Sequence, residues 1–249
     1  MSTPRDWDAA TYDRVAAPQT RWGSAVLERL PLRGDETVLD AGCGSGRVTE
    51  RLAERLPAGR VIALDASPSM VAEARRRLER FGGRVHYVVA DLNQPFEVPG
   101  GSVDAILSTA TFHWVPDHAA LFRHLAAVLR PGGSLVAQFG GEGNIARVKA
   151  IVASIGDGWL GPAHYESAGA TTERLAAAGF VDIEAWLQPE PTTFEPGEPL
   201  ESFLRTVILG PQVERLPESE RAAYVHEVAS RMAEPVVDYV RLNVDARRG

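Results

Sequence analysis

The chain has 249 residues, 45% of them hydrophobic, and a formal net charge of -7. A chain of this length and hydrophobic content can form one large folded domain. No stretch of consecutive apolar residues approaches the roughly 20 that a membrane span needs. The acidic balance argues against a nucleic-acid partner, because such proteins neutralise phosphates with a basic face. The densest basic run, Arg75-Arg76-Arg77, lies between Glu73 and Glu79 on a predicted helix, which favours a solvated face.

Cysteine and histidine usage narrows the chemistry further. Cys43 is the only cysteine, so no internal disulfide can form, in agreement with a reducing compartment. The N-terminus shows no apolar signal-peptide core, and we expect a cytoplasmic protein without a membrane partner. The six histidines lack metal-site spacing, so we expect no metal. The sequence leaves the oligomeric state open.

Strands and helices alternate through the middle of the chain. Strands are predicted at about 36–41, 60–65, 85–90, 103–108 and 134–139, with helices at about 46–56, from 67 onwards and at 117–129. This order is typical of a parallel sheet with helices on both faces. The third predicted helix should end at Arg130-Pro131-Gly132-Gly133, because proline and glycine interrupt helices.

Beyond residue 140 the pattern is less regular. A helix is predicted at 171–178, a sixth strand at 180–187, helices within 200–233 and a closing antiparallel strand at 236–246. The helices after 198 have apolar faces, which we expect to cover the mouth of a ligand site. The expected divisions are an N-terminal helical lid (1–30), an α/β core (31–197), a helical cap (198–233) and the last core strand (234–249). The sheet of this core is expected to have seven mostly parallel strands in total, with the last strand included.

A glycine-rich loop follows the first predicted strand. The strand ends in Asp40, and glycine then stands at every second position, in Gly42, Gly44 and Gly46. Without Cβ atoms these residues allow a sharp turn and a close approach of the backbone to a ligand. Asp65 ends the second strand, where its carboxylate can accept from both hydroxyls of a ribose. The sequence therefore predicts a Rossmann-like site for an adenosine-type cofactor.

The glycine spacing distinguishes between cofactors. A dinucleotide fingerprint is G-x-G-x-x-G, whereas this chain has G-x-G-x-G directly after Asp40. That carboxylate would repel a pyrophosphate, but it can accept from an ammonium group. S-adenosylmethionine (SAM) carries an ammonium, a sulfonium and no phosphate, so the charges favour SAM. A nicotinamide-dependent oxidoreductase and a plain structural turn are the less favoured alternatives.

With these motifs the chain resembles the class I SAM-dependent methyltransferases. Asp40 to Gly46 matches their first motif, Asp65 their ribose-binding acid and Asp91 the acid near the adenine. Asp40 and Asp91 could instead cap the turns that follow them, and a small buried thiol filling the turn is favoured over a nucleophile for Cys43. The expected cofactor-binding residues are Asp40, Gly42, Cys43, Gly44, Gly46, Asp65, Ala66, Ser67, Met70, Asp91, Leu92 and Ser108.

The segment after the fourth strand places His113 and Trp114 where a methyl group would face its acceptor. His113 is the candidate catalytic residue, as a general base or as a donor that orients the acceptor. Alternatively, the His113 side chain forms hydrogen bonds only with the backbone, and the Trp114 side chain only packs against the loop. A carboxylate acceptor, with a pKa of about 4, needs no base, whereas a phenol or alcohol does.

The whole chain resembles the branch that contains the trans-aconitate methyltransferases. The shared features are an aromatic N-terminal segment, the F-H-W-V-P-D-H loop and a helical insertion before the last strand. This resemblance implies O-methylation of a small carboxylic acid, held by lid arginines. There are two alternatives. The enzyme could methylate an oxygen or nitrogen of another small molecule with His113 as base, or the protein could bind SAM without catalysis. The expected substrate and lid residues are Trp7, Tyr12, Gln19, Arg21 and Trp114, and the cap offers Arg205, Arg215, Arg221 and Arg231 as candidate anion ligands.

Overall fold

The computed structural model describes residues 17–249. Trp7, Tyr12 and most of the expected lid lie outside the described residues. The strands of the main sheet are β1 (Thr37–Ala41), β2 (Arg60–Asp65), β3 (Val85–Val89), β4 (Val103–Thr109), β5 (Leu129–Gly140), β6 (Phe180–Pro189) and β7 (Val240–Arg248). The main helices are α1 (Ala17–Arg29), α2 (Arg47–Glu54), α3 (Pro68–Arg77), α4 (His118–Val128), α5 (Ala146–Ile155), α6 (Ala168–Ala177), α7 (Glu198–Phe203), α8 (Gly210–Arg215) and α9 (Glu218–Ser230).

The seven strands form one sheet in the order β3-β2-β1-β4-β5-β7-β6. The first five pair in parallel, and β7 is antiparallel to both β5 and β6. The predicted seven-stranded, mostly parallel Rossmann-like sheet is confirmed. In this order the carboxyl ends of β1, β2 and β4 lie at the same edge, where open sheets bind ligands.

Helices cover both faces of the sheet because successive strand residues point to opposite sides. Val38 belongs to a core cluster with Leu27 of α1 and Leu52 of α2. Its neighbour Leu39 belongs to a second cluster with Phe122 of α4. Strands that are apolar at consecutive positions are therefore buried on both faces, as in other parallel sheets.

Several boundaries differ from the predicted ones. β5 begins at Leu129, earlier than the predicted start at 134, because Leu129 already pairs with Val103 of β4. The next pair is Ser134 with Ala105. The segment 130–133 between the two pairs forms a bulge in β5. The predicted strand at 236–246 begins at Val240 instead. Val236–Val237 pairs separately with Thr192–Thr193.

The sequence analysis also missed helix α5, which packs under the cap. A third core cluster joins α1, α5, the cap helices and the start of β7, with members that include Trp22, Val148, Phe203, Leu204, Val228 and Tyr239. The cap helices thus bury their apolar faces on one another and on α5, beside the sheet edge. In the described part of the chain, no helix is long and apolar enough to cross a membrane.

Candidate functional site

A cavity of about 660 Å³ opens where the strand ends meet the cap. One side is formed by the loop after β1 and by the ends of β2 and β4, and the other by the cap and by β7. This volume is within the usual range for small-molecule sites. The residues at the strand ends that line it include Gly42, Gly44, Asp65, Ala66, Met70, Asp91 and Leu92.

Asp65 connects two backbone segments while it faces the cavity. One carboxylate oxygen accepts from the amide of Gly44 at 2.9 Å, and the other accepts from the amide of Ser67 at 2.9 Å. Ser67 in turn caps α3, accepting from the amide of Met70. Asp65 therefore sets the shape of the glycine loop and remains available to hydroxyl donors from the cavity, since a carboxylate has about four acceptor sites.

The three loop glycines have different tasks. Gly44, at φ +53°, lines the cavity, and a Cβ built there would meet no protein atom within 4 Å. A Cβ at Gly42 would overlap the side chain of Thr111, and one at Gly46 would press on Ala74. The open space above Gly44 suits a ligand held close to the backbone, whereas Gly46 serves packing.

Asp91 lies where either of the roles that the sequence left open can be served. It lines the cavity, and its Oδ1 accepts from the amide and the side chain of Asn93 at 2.9 and 2.8 Å, which caps the turn. Leu92, next to it, is buried and lines the cavity as well.

Asp40 lies below the loop, outside the cavity lining. It is 1% exposed, and its Oδ2 accepts from the hydroxyl of Thr49 at 2.7 Å. Burial raises the pKa of Asp40 to about 7, and the neighbouring Asp65 adds to the rise although the Thr49 hydrogen bond opposes it. Within the described residues, Oδ1 of Asp40 has no hydrogen-bond partner.

Other expected cofactor residues also do not line the cavity. Ser108 donates its hydroxyl to the carbonyl of Ala41 at 2.6 Å, which ties β4 to β1. The thiol of Cys43 is packed in the core among aliphatic side chains, and burial raises its pKa well above the usual value, which does not suit a nucleophile. The residues that shape the loop from outside the cavity lining are Asp40, Cys43, Gly46, Ser67 and Ser108.

His113 lines the cavity from the short 3₁₀ turn Phe112–Trp114 and is 8% exposed. Its Nδ1 accepts from the amide of Gly140 at 3.3 Å, and its ring stacks on Tyr165. Burial, with Arg241 and His118 nearby, lowers the pKa of His113 well below its usual value. A neutral imidazole that accepts at Nδ1 carries its proton on Nε2, so His113 is a hydrogen-bond donor through that atom.

Arg241 is the cavity residue that the sequence analysis missed. It belongs to β7, is 3% exposed, and its guanidinium lies 4.8 Å from the ring centroid of Trp22 and 5.9 Å from that of Tyr239. In the pairing of β5 with β7 it stands opposite Gly140. No specific signal in the sequence marked it, because polar residues alternate with apolar ones along this strand, at Arg241, Asn243 and Asp245. Other polar residues of the cavity lining include Gln19, His113, Asn144, Tyr165 and Tyr239.

The predicted lid and cap residues divide into two groups. Gln19 and Trp114 line the cavity, whereas Arg21 does not and pairs instead with Glu190 at 3.6 Å. None of the four cap arginines lines the cavity. Arg215 pairs with Asp157 at 3.2 Å, and Arg231 pairs with Glu227 on the same helix. The buried cation at the cavity therefore comes from the sheet and not from the cap.

One group of possible metal ligands exists within the described residues, formed by His118, His164 and Glu166. His118 Nε2 bonds to the carbonyl of Phe112, and His164 Nε2 lies 3.0 Å from a carboxylate oxygen of Glu166. Arg174 pairs with the same carboxylate. These contacts describe an ion-pair network, and the expectation of no metal stays a prediction.

Comparisons with known proteins agree with this geometry. The family described as "Methyltransferase domain" matches residues 38–133. The trans-aconitate 2-methyltransferase of Methylobacterium nodulans is 36% identical over 182 residues, which cover 73% of this chain and 67% of that protein. The enzyme of the same name from Escherichia coli K12 is 35% identical over 161 residues, covering 64% of this chain and 54% of its own length.

Solved structures show the same fold at low identity. Phosphoethanolamine N-methyltransferase 2 of Haemonchus contortus in complex with SAM has a TM-score of 0.63 and 20% identity, over 96% of this chain and 56% of that one. Geranyl diphosphate C-methyltransferase of Streptomyces coelicolor in complex with S-adenosylhomocysteine has a TM-score of 0.59 and 19% identity, over 92% and 76% of the two chains. The chain belongs to the class I SAM-dependent methyltransferases, in the branch that contains the trans-aconitate methyltransferases, and its cofactor is SAM.

Proposed function

We propose that this enzyme methylates a carboxylate oxygen of a small organic acid. The observation that supports this most directly is the guanidinium of Arg241, a buried cation in the lining of the cavity. A guanidinium presents a planar set of donors that matches both oxygens of a carboxylate. An anionic acceptor would therefore be attracted to this position and oriented there.

The neighbours of Arg241 favour the same acceptor. His113 offers an Nε2–H donor. Burial lowers the pKa of His113, and the positive charge of Arg241 lowers it further. Burial raises the pKa of Tyr165, and the charge of Arg241 only partly opposes that rise, so the Tyr165 hydroxyl keeps its proton. Tyr165 and Tyr239 add hydroxyl groups to this part of the lining. A carboxylate provides acceptors for all of these donors, whereas an amine would meet a cation and several N–H or O–H groups.

The chemistry requires little besides alignment. When bound, SAM supplies a sulfonium methyl group that passes to the carboxylate oxygen as the C–S bond breaks, giving a methyl ester and S-adenosylhomocysteine with no proton transferred. The acceptor is already ionised at neutral pH. The chain's own residues position the acid and exclude water, and positioning of this kind contributes on the order of 7–11 kcal/mol.

The relatives support the substrate class. The aligned proteins are named trans-aconitate 2-methyltransferases, and trans-aconitate is a carboxylic acid. The alternative, a hydroxyl acceptor activated by His113 as base, is less well supported. The Nδ1 lone pair of His113 is engaged by the Gly140 amide, and Nε2 then already carries a proton.

The test is a direct search for ester products. Enzyme and SAM are incubated with a panel of carboxylic acids, phenols, alcohols and amines, and products that gain one methyl group are detected by mass spectrometry. Mild alkaline hydrolysis should return each product to its parent acid. Methylation of amines or hydroxyl groups alone would contradict the proposal.

Arg241→Gln gives a second test. It should lower kcat/KM for the acid by about 10- to 150-fold, the equivalent of losing hydrogen bonds to a charged group. SAM affinity should stay close to that of the wild type. Arg205→Gln is the matched control, because Arg205 is exposed on the cap and does not line the cavity.

A further inference from the structure

We infer that the acceptor is a carboxylic acid with an apolar body, whose carboxylate lies at Arg241 and whose body packs on one wall of the cavity. This inference rests on the proposed function and specifies its substrate. The apolar wall is defined by Trp159, Leu160, Val207, Ile208 and Pro211, all of which line the cavity.

A π-helical turn builds the cap side of the apolar wall. Residues 204–208 form this turn, in which the amide of Leu209 donates to the carbonyl of Leu204, five residues earlier, at 2.7 Å. Val207 and Ile208 are consecutive, and both line the cavity. Turns of this kind are rare and occur frequently at functional sites. The turn therefore gives the cavity two adjacent aliphatic side chains.

Trp159 is the part of the wall that faces solvent. Trp159 is 38% exposed and also lines the cavity, so part of its surface is not covered by protein atoms. The guanidinium of Arg215 lies 4.5 Å from the ring centroid and pairs with Asp157, whose carboxylate accepts from the amide of Trp159. The contacts that hold the indole thus come from Asp157 and Arg215, neither of which lines the cavity.

The charges near the wall disfavour a second carboxylate. Arg215 and Arg205 belong to the cap but do not line the cavity, and the charged cap residue that does line it is the acid Glu214. A second carboxylate placed on the apolar wall would lose its hydration against aliphatic and aromatic atoms. Burying an ionised group without a matched partner is strongly unfavourable. An acid with one carboxylate and an apolar body fits both ends of the cavity.

The experiment compares acids that differ in the group opposite the reacting carboxylate. We would measure kcat/KM for trans-2-octenoate, trans-cinnamate and trans-aconitate, and the affinity of each acid for the complex with S-adenosylhomocysteine by calorimetry. Either apolar acid should exceed trans-aconitate by at least about tenfold, the discrimination expected of a hydrophobic pocket. The calorimetric values provide the comparison even where turnover is slow.

Variants of the π-helical turn test where the body binds. Val207→Arg puts a cation on the apolar wall and should reduce the preference for trans-2-octenoate over trans-aconitate by at least about tenfold. Arg205→Gln is the matched control, because Arg205 lies on the same turn and is exposed. This control should leave the preference unchanged.

The possible results separate the inference from the proposed function. A wild-type preference for trans-aconitate, in turnover or in binding, would overturn the inference and leave carboxylate methylation standing. An unchanged preference in Val207→Arg would overturn the placement of the body on this wall. Methylation or binding of amines or alcohols alone would overturn the proposed function, and the inference with it.

Discussion

The backbone amide of Gly140 donates a hydrogen bond to Nδ1 of His113 at 3.3 Å. Gly140 also stands opposite Arg241 in the pairing of β5 with β7. One residue of β5 thus connects the histidine to the strand position that supplies the buried cation. Because this contact places the imidazole proton on Nε2, the cavity contains a neutral donor beside a guanidinium.

His113→Ala should lower kcat/KM for a carboxylic acid by only about 2- to 10-fold, the effect of one neutral hydrogen bond. His113→Asn, which keeps an N–H donor, should recover part of the loss. Because the pKa of His113 lies well below its usual value, its proton should not affect kcat/KM between about pH 7 and pH 8. A loss of about 100-fold or more, with an inflection near neutral pH, would indicate a general base instead.

Gly44→Ala should mainly affect SAM binding, whereas Gly42→Ala should mainly affect stability. A Cβ at position 44 enters open cavity space, so apart from the roughly 1–2 kcal/mol cost of alanine at φ +53° we expect a folded protein whose SAM affinity falls by at least about tenfold. A Cβ at position 42 overlaps Thr111, and the variant should lose about 1–3 kcal/mol of stability and about 2–12 °C in Tm. Calorimetry with SAM and thermal unfolding without it distinguish the two. Normal SAM affinity in Gly44→Ala would place the cofactor elsewhere.

Asp65→Ala should weaken SAM binding by about 1.5–3 kcal/mol, because it removes the acceptor for hydroxyl donors in the cavity. It should also lower the Tm of the cofactor-free protein, since the amides of Gly44 and Ser67 lose their acceptor. Glu79→Gln is the control, an exposed carboxylate beside α3 that does not line the cavity. Equal calorimetric affinities of Asp65→Ala and wild type would remove Asp65 from the cofactor site.

The buried carboxyl of Asp40 makes stability depend on pH. Its pKa is raised to about 7 in the folded protein, from 3.8, so between these values the folded state binds a proton that the unfolded state does not. This group therefore contributes less stability as pH rises toward 7. Asp40→Asn removes the ionisable group and keeps an acceptor for Thr49. The Tm of the variant minus the Tm of the wild type should therefore be larger at pH 8 than at pH 5. A difference in Tm that is independent of pH would contradict the assigned titration.

The chain's local patterns predicted the repeating strands and helices, the seven-stranded sheet and the edge at which the cavity opens. They also identified Gly44, Asp65 and Asp91, because a glycine loop and an acid at a strand end are local features with a fixed place in a parallel sheet. They did not determine which strand-end side chains face the cavity. Asp40 and Ser108 both lie near such ends, and both point into the protein.

The sequence alone thus determined the fold and the cofactor, since both follow from short-range periodicity and from the spacing of the glycine loop. The tertiary structure decided the acceptor side of the cavity. Arg241 and His113 come together only because β7 pairs antiparallel with β5, and Val207 and Ile208 line the cavity together in a π-helical turn that no local pattern indicated. Contacts between residues about a hundred positions apart depend on strand pairing and packing, and these follow from the burial of the whole chain rather than from any one segment.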